Sequence, residues 1–206
     1  MKKSLALSLC LLLAFSLFAC KTAPAATTTP NTQHLTAAEI RALDESETIR
    51  GESWASLVNH FNSIEEITDF AEVIVKVEVV SVELTEPETY LDSQMTYTTV
   101  TILSTIKGNG PVGGTIKINE LGGGQGYEAF VAGGVPVMAV GSQYILFLTE
   151  EYKGMRGVCG AFGRFIEKQG YMVQQTIEEA KINSYTPLPT EQFMQLIAGY
   201  VAGDNT

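Results

Sequence analysis

Residues able to do chemistry are few in this chain, and their spacing assembles no catalytic set. Histidine occurs twice, at His34 and His60. A metal site built on histidine, or a Ser-His-Asp triad, would have to take its base from His60. His60 precedes Phe61 in a stretch of helical character, where a surface or packing role is expected. The cysteines are Cys10, Cys20 and Cys159. Acids occur as adjacent pairs (Glu65-Glu66, Glu150-Glu151, Glu178-Glu179), and neighbours in sequence point apart or lie in turns. The alternating acids of a calcium loop are absent from the sequence. Gly124-Gln-Gly126-Tyr-Glu-Ala129 has the form Gly-x-Gly-x-x-Ala, but a dinucleotide site needs a helix after it inside a βαβ unit. Gly133, Gly134 and Pro136 deny it that helix. No cofactor and no metal are therefore expected, and the chain does not read as an enzyme.

The N-terminus carries a sharper signal. Lys2 and Lys3 precede an apolar run from Leu5 to Leu17, which is too short for a membrane span of about twenty residues and suits a signal peptide. It ends in Leu17-Phe18-Ala19-Cys20. This resembles the bacterial lipobox, with leucine three places before the cysteine and a small residue directly before it. The resemblance implies cleavage after Ala19 and a diacylglycerol thioether on Cys20, the lipid attachment site. Two acyl chains give stable anchoring where one is marginal. Residues 1–19 are expected to be a leader and 20–35 a lipidated cysteine followed by a Thr-, Ala- and Pro-rich tether. The partner at this end is membrane lipid, and the location is the extracytoplasmic side of a cell membrane. Loss of the leader removes Cys10, so Cys159 is left without an intramolecular disulfide partner. It reads as a small buried hydrophobe.

The formal net charge is −10, and losing Lys2 and Lys3 makes it two units more negative. That excludes a nucleic-acid partner, which needs clustered Lys and Arg. It also opposes an electrostatic grip on anionic headgroups.

The remaining elements follow from periodicity. Thr36-Ala-Ala-Glu39 is a capping box that predicts a short helix, with Asp44–Gly51 as loop. Trp54, Leu57, Val58 and Phe61 fall on one helical face, and Ser63-Ile-Glu-Glu66 predicts a helical turn through Phe70. The period then becomes two. Val73, Val75, Val77 and Val79 alternate with polar residues and Ile74, after which the phase slips to Val80, Val82 and Leu84. Such a slip predicts a β-bulge in a long bent strand. Thr96–Ile106 is a second strand, with Val100, Ile102 and Ile106 on one face. Thr115–Leu121 is a third. Gln143–Leu148 is apolar on both faces and predicts a buried central strand. Gly154–Phe162 and Arg164–Ile166 are expected strands, the latter closing a hairpin with Tyr171–Gln174. Phe193, Leu196, Ile197 and Tyr200 predict a C-terminal helix.

These elements give a mainly β domain of five to seven strands with short flanking helices. A small OB-like barrel fits best, with a β-sandwich as the alternative. Residues 36–70 form a helical segment, 71–175 the barrel and 176–206 a helical tail. The run from Ala71-Glu-Val-Ile-Val through Tyr97-Thr-Thr-Val-Thr-Ile and Ile106-Lys-Gly108 to Val140-Gly-Ser-Gln-Tyr-Ile-Leu-Phe-Leu148 resembles small uncharacterised lipoproteins of Gram-positive bacteria. More distantly it is similar to the OB-like domain of netrins and tissue metalloproteinase inhibitors. That resemblance implies a fold and not an inhibitory activity.

The Gly-rich segment Gly122–Gly141 reads as a long loop without structure of its own, which is either disordered or simply packed, or else a binding loop held by a rigid barrel, with Tyr127 and Phe130 presenting aromatic surface. The leading expectation is a non-catalytic, membrane-anchored interaction module for an envelope protein or polymer. An envelope hydrolase with an unrecognised site and a structural spacer are the rival readings.

Overall fold

A computed structural model describes residues 35–49, 59–84, 95–123, 130–131 and 135–203. In chain order they form α1 (Ala37–Glu47), β1 (Thr48–Ile49), α2 (Ile64–Phe70), β2 (Val73–Leu84), β3 (Met95–Lys107), β4 (Thr115–Leu121), β5 (Phe130–Val131) and β6 (Val135–Pro136). There follow β7 (Gln143–Tyr152), β8 (Met155–Val158), β9 (Arg164–Lys168), β10 (Tyr171–Gln174), β11 (Thr176–Ile177), β12 (Leu188–Pro189) and α3 (Thr190–Ala202). The chain is mainly β, with a closed five-stranded barrel and three short helices. Closure decides for the barrel over the sandwich.

The barrel runs β7-β2-β3-β4-β8 and returns to β7. The β2–β3–β4 meander is antiparallel, whereas β4 and β8 meet in a parallel ladder of Lys117 with Met155 and Ile118 with Arg156. β9, β10 and β12 extend the sheet outward from β7. β7 is buried on both faces, as its unbroken apolar run requires.

Strand alternation sends two sets of side chains to two cores. Val73, Val75, Val77 and Val79 point into the barrel with Val100, Ile102, Ile118, Leu146 and Leu148. Ile74, Ile145, Phe147 and Phe165 point outward and are covered by Ile64 and Ile67 of α2 and by Phe193 and Ile197 of α3. The helical segments thus share a core with the barrel. Phe193 and Ile197 are fully buried, and each contributes about 1.5–3 kcal/mol by leaving water.

α1 and α2 are both capped where the sequence places their starts, but only α1 completes its capping box. Thr36 and Glu39 complete a capping box on α1. Ser63 caps α2 by accepting from the Glu66 amide, while the Glu66 carboxylate accepts from Asn62 instead. The phase slip in β2 is a register shift between Val79 and Ser81. Val80 is left exposed there.

Five expectations are corrected. α1 runs through to Glu47 and leads directly into β1, so much of Asp44–Gly51 is regular structure. Phe61 is buried in the turn before α2 rather than on a helix; Trp54, Leu57 and Val58 lie outside the described residues. Ile106 does not share a face with Ile102. Val77 pairs with Ile102 and Lys76 with Ser104, leaving Leu103 as an unpaired bulge residue that inverts the phase. Ile106 accordingly packs on the outer core. Gly160–Phe162 is a 3-10 turn, because the Phe147 carbonyl accepts from Cys159 while its amide donates to Gly163, and this pulls the chain into a tight corner. Finally, Gly122–Gly141 carries structure of its own. β5 and β6 form a small hairpin, Val135 reaches the outer core and Met138 the inner one.

Candidate functional site

The outer surface of the barrel is divided. Among the described residues, the outer core on the β7–β9–β10 side takes in α2, α3, the tail and Ile106 at the end of β3, and no residue of β4 or β8 belongs to it. Residues directly opposed in a ladder share a face, so the pairings read out which side chains the β3–β4–β8 half presents. One row runs Tyr152, Met155, Lys117, Thr99 and Ser81 across five strands. A second runs Asn119, Tyr97 and Glu83, and a third Thr115, Thr101, Glu78 and Gln143.

Two aromatic rings on this face carry a lysine. Lys117 Nζ lies 5.0 Å from the Tyr97 ring centroid, and Lys153 Nζ lies 5.1 Å from that of Tyr152. Such cation–π contacts contribute about 0.5–1 kcal/mol at exposed sites. Tyr152 is 70% exposed. Lys117 also pairs with Glu83 at 3.6 Å. Hydroxyls of Ser81, Thr99, Thr101 and Thr115, the Asn119 amide, and Glu78, which accepts from Gln143 Nε2 at 3.5 Å, complete the rows. The face therefore offers aromatic surface and hydrogen-bonding groups, with Lys117 paired to Glu83.

Beneath it, the barrel interior changes from apolar to polar at one end. Glu120 follows Ile116 and Ile118 in phase and points inward opposite Thr96. Arg164 enters from β9, with its Nη1 3.3 Å from Glu120 Oε1. The guanidinium carbon lies 5.8 Å from the Tyr144 ring centroid. Arg164 is 1% exposed. The pair spans the seam beyond Ile118, where the β4–β8 ladder has ended. It is incompletely satisfied: Arg164 Nε and Nη2, Glu120 Oε2 and the Thr98 hydroxyl have no partner among the described residues. Desolvation pushes the Glu120 carboxyl above its ordinary range, against the opposing attraction of Arg164. The Thr96 hydroxyl, by contrast, donates to the Gly122 carbonyl at 2.7 Å, tying β3 to the start of the Gly-rich segment.

The residues singled out by sequence do not gather into one place. Cys20, His34, Tyr127 and the Gly124–Ala129 motif lie outside the described residues. Phe130 opens β5 opposite Pro136. His60 is exposed, its ring 5.3 Å from that of Phe162. Cys159 is buried, and desolvation pushes its thiol up to about 12 against the weaker pull of Lys107. A group so far from forming thiolate is not a nucleophile. No group of three or more His, Cys, Asp or Glu able to hold a metal ion occurs among the described residues. No described helix is long and apolar enough to cross a membrane. Tyr152, Lys117 and Met155 were not legible as a site. The signal that marks them is the run of hydroxyl and aromatic residues on the outward phase of β3 and β4.

No family model matches the chain, and no curated protein matches it.

Proposed function

We propose that this chain is a membrane-anchored, non-catalytic interaction module whose outer β3–β4–β8 face binds a neutral, hydroxyl-rich polymer of the cell envelope. The observation that carries the reading is Tyr152, 70% exposed and set in a row with Met155 and Lys117 on the outer face of the barrel. An exposed aromatic ring held by a lysine is a stacking surface for the apolar face of a sugar ring. The surrounding Thr and Asn groups supply the hydrogen bonds that fix orientation. The acidic net charge disfavours polyanions. OB-type barrels use the corresponding face for oligosaccharides and oligonucleotides, which is an argument by analogy of fold. The lipobox-like Leu17–Cys20 supports the anchor.

The test is retention of the full chain on three immobilised polymers: a glucan, an amino-sugar oligomer and a polyphosphate. One neutral polymer is expected to retain it, with binding weakened about tenfold in Tyr152→Ala. Retention on polyphosphate alone, equal binding by Tyr152→Ala, or cleavage of the polymer would each overturn the reading. Fatty-acid labelling that persists in Cys20→Ser would overturn the anchor.

A further inference from the structure

α1 and β1 are joined to the domain differently from the other helices. α2 buries Ile64, Ile67 and Thr68, and α3 buries Thr190, Phe193 and Ile197, but none of the 11 residues of α1 is buried. Leu43 packs half-buried against the inner core. Among the described residues, polar contacts add to it. Lys181 Nζ donates to Asp44 Oδ2 at 2.5 Å and to Thr48 Oγ1 at 3.3 Å. Lys168 Nζ lies 3.0 Å from Glu47 Oε1, and Gln175 Nε2 donates to Glu47 Oε2 at 2.9 Å. The Leu35 amide donates to the Tyr171 hydroxyl at 3.4 Å. β1 adds a parallel ladder of two pairs, Thr48 with Thr176 and Ile49 with Ile177.

We infer that α1 and β1 form a strap that releases as a unit while the barrel stays folded, with ionic strength setting how often it does so. Segments with few buried apolar contacts open at lower free energy than core strands. Here the attachment depends on two ion pairs, both partly reached by solvent. The Debye length falls from about 10 Å at 0.1 M salt to about 3 Å at 1 M. The capping box of α1 lies within the strap itself, between Thr36 and Glu39, so release does not cost the helix its cap. Release uncovers Lys168, Lys181 and the edge of β11, a short strand edge flanked by two cations.

Amide hydrogen exchange on the full chain tests this, at about 0.02 M and about 1 M sodium chloride. Amides of Arg41–Glu47 are expected to exchange roughly tenfold faster at high salt, while those of Val75, Val77 and Ile145–Phe147 keep their rates. The Lys168→Gln/Lys181→Gln double variant is expected to show the fast rate at low salt and to lose the salt response. If α1 amides exchange as slowly as Ile145–Phe147 at both salts, the inference falls. It falls equally if they accelerate only in step with the barrel strands, in either the parent or the double variant.

Discussion

Replacing Glu120 with leucine should destabilise this domain far more than replacing Glu120 and Arg164 together. Arg164 is 1% exposed, and its one charged partner among the described residues is Glu120. Nε and Nη2 already lack acceptors among those residues. Glu120→Leu removes the acceptor of Nη1 as well, leaving a buried guanidinium with no compensating charge. Breaking a buried pair in this way costs about 3–5 kcal/mol. For a domain of this size each kcal/mol is about 2–4 °C of melting temperature, so Tm should fall by about 6–20 °C. Glu120→Leu with Arg164→Met removes both charges and all three unpartnered polar atoms of the pair, and should return stability to the parent value or exceed it by about 1–4 kcal/mol. The pH response follows from the same burial. The folded-state pKa of Glu120 is raised above its unfolded value. Its stabilising contribution is therefore complete below the unfolded value, about 4.3, and is lost as pH rises through the folded value. Other carboxylates act in the opposite sense, so the informative quantity is the difference between the parent and Glu120→Gln. That difference should shift in favour of the parent as pH falls. Urea denaturation of the parent, both single variants and the double variant across pH measures all of this. A double variant as unstable as Glu120→Leu, or a parent that loses ground to Glu120→Gln on acidification, would refute the reasoning.

Two further outcomes are expected. With its thiol pushed up to about 12 and its side chain buried, Cys159 should resist iodoacetamide at pH 8 in the folded chain and react fully in denaturant, with mass spectrometry as the readout; rapid labelling of the native protein would contradict the burial. Gly123 has φ +98° and lies so close to β3 that a Cβ would overlap the Thr96 hydroxyl and a methyl of Leu84, so Gly123→Ala should cost at least about 1–3 kcal/mol, seen as a lower urea midpoint.

What sequence could reveal depended on whether apolar residues occupied one strand phase or both. The bulge after Val79 was legible because Val79-Val80-Ser81-Val82 breaks a clean alternation at one point. The bulge at Leu103 was not, since Ile102-Leu103 offers apolar side chains to both faces and only pairing with β2 selects between them. The two short caps were readable because capping is local. Arg164 gave no local sign of burial, because its partner lies 44 residues away. Glu120 did give one, being in phase with Ile116 and Ile118. The exposed face was hardest to see. A surface is defined by what fails to cover it, and α2 and α3 cover the other half through contacts that link Ile64 and Ile67 to Phe193 and Ile197 across the whole domain.

The parallel ladder of two residue pairs between β4 and β8 also shapes the route to the native state. The β2–β3–β4 meander joins neighbours in sequence by antiparallel pairing and can form early. Closure brings Lys117 and Ile118 to Met155 and Arg156 only after β7 has docked on β2, which makes it a late step with a large loop-entropy cost. Until then the edge of β4 carries unpaired amides and carbonyls beside an apolar interior. That is a template for pairing with another chain. Refolding yield should thus fall with protein concentration while the folded barrel remains monodisperse, and the vulnerability would belong to the time before closure rather than to the finished molecule.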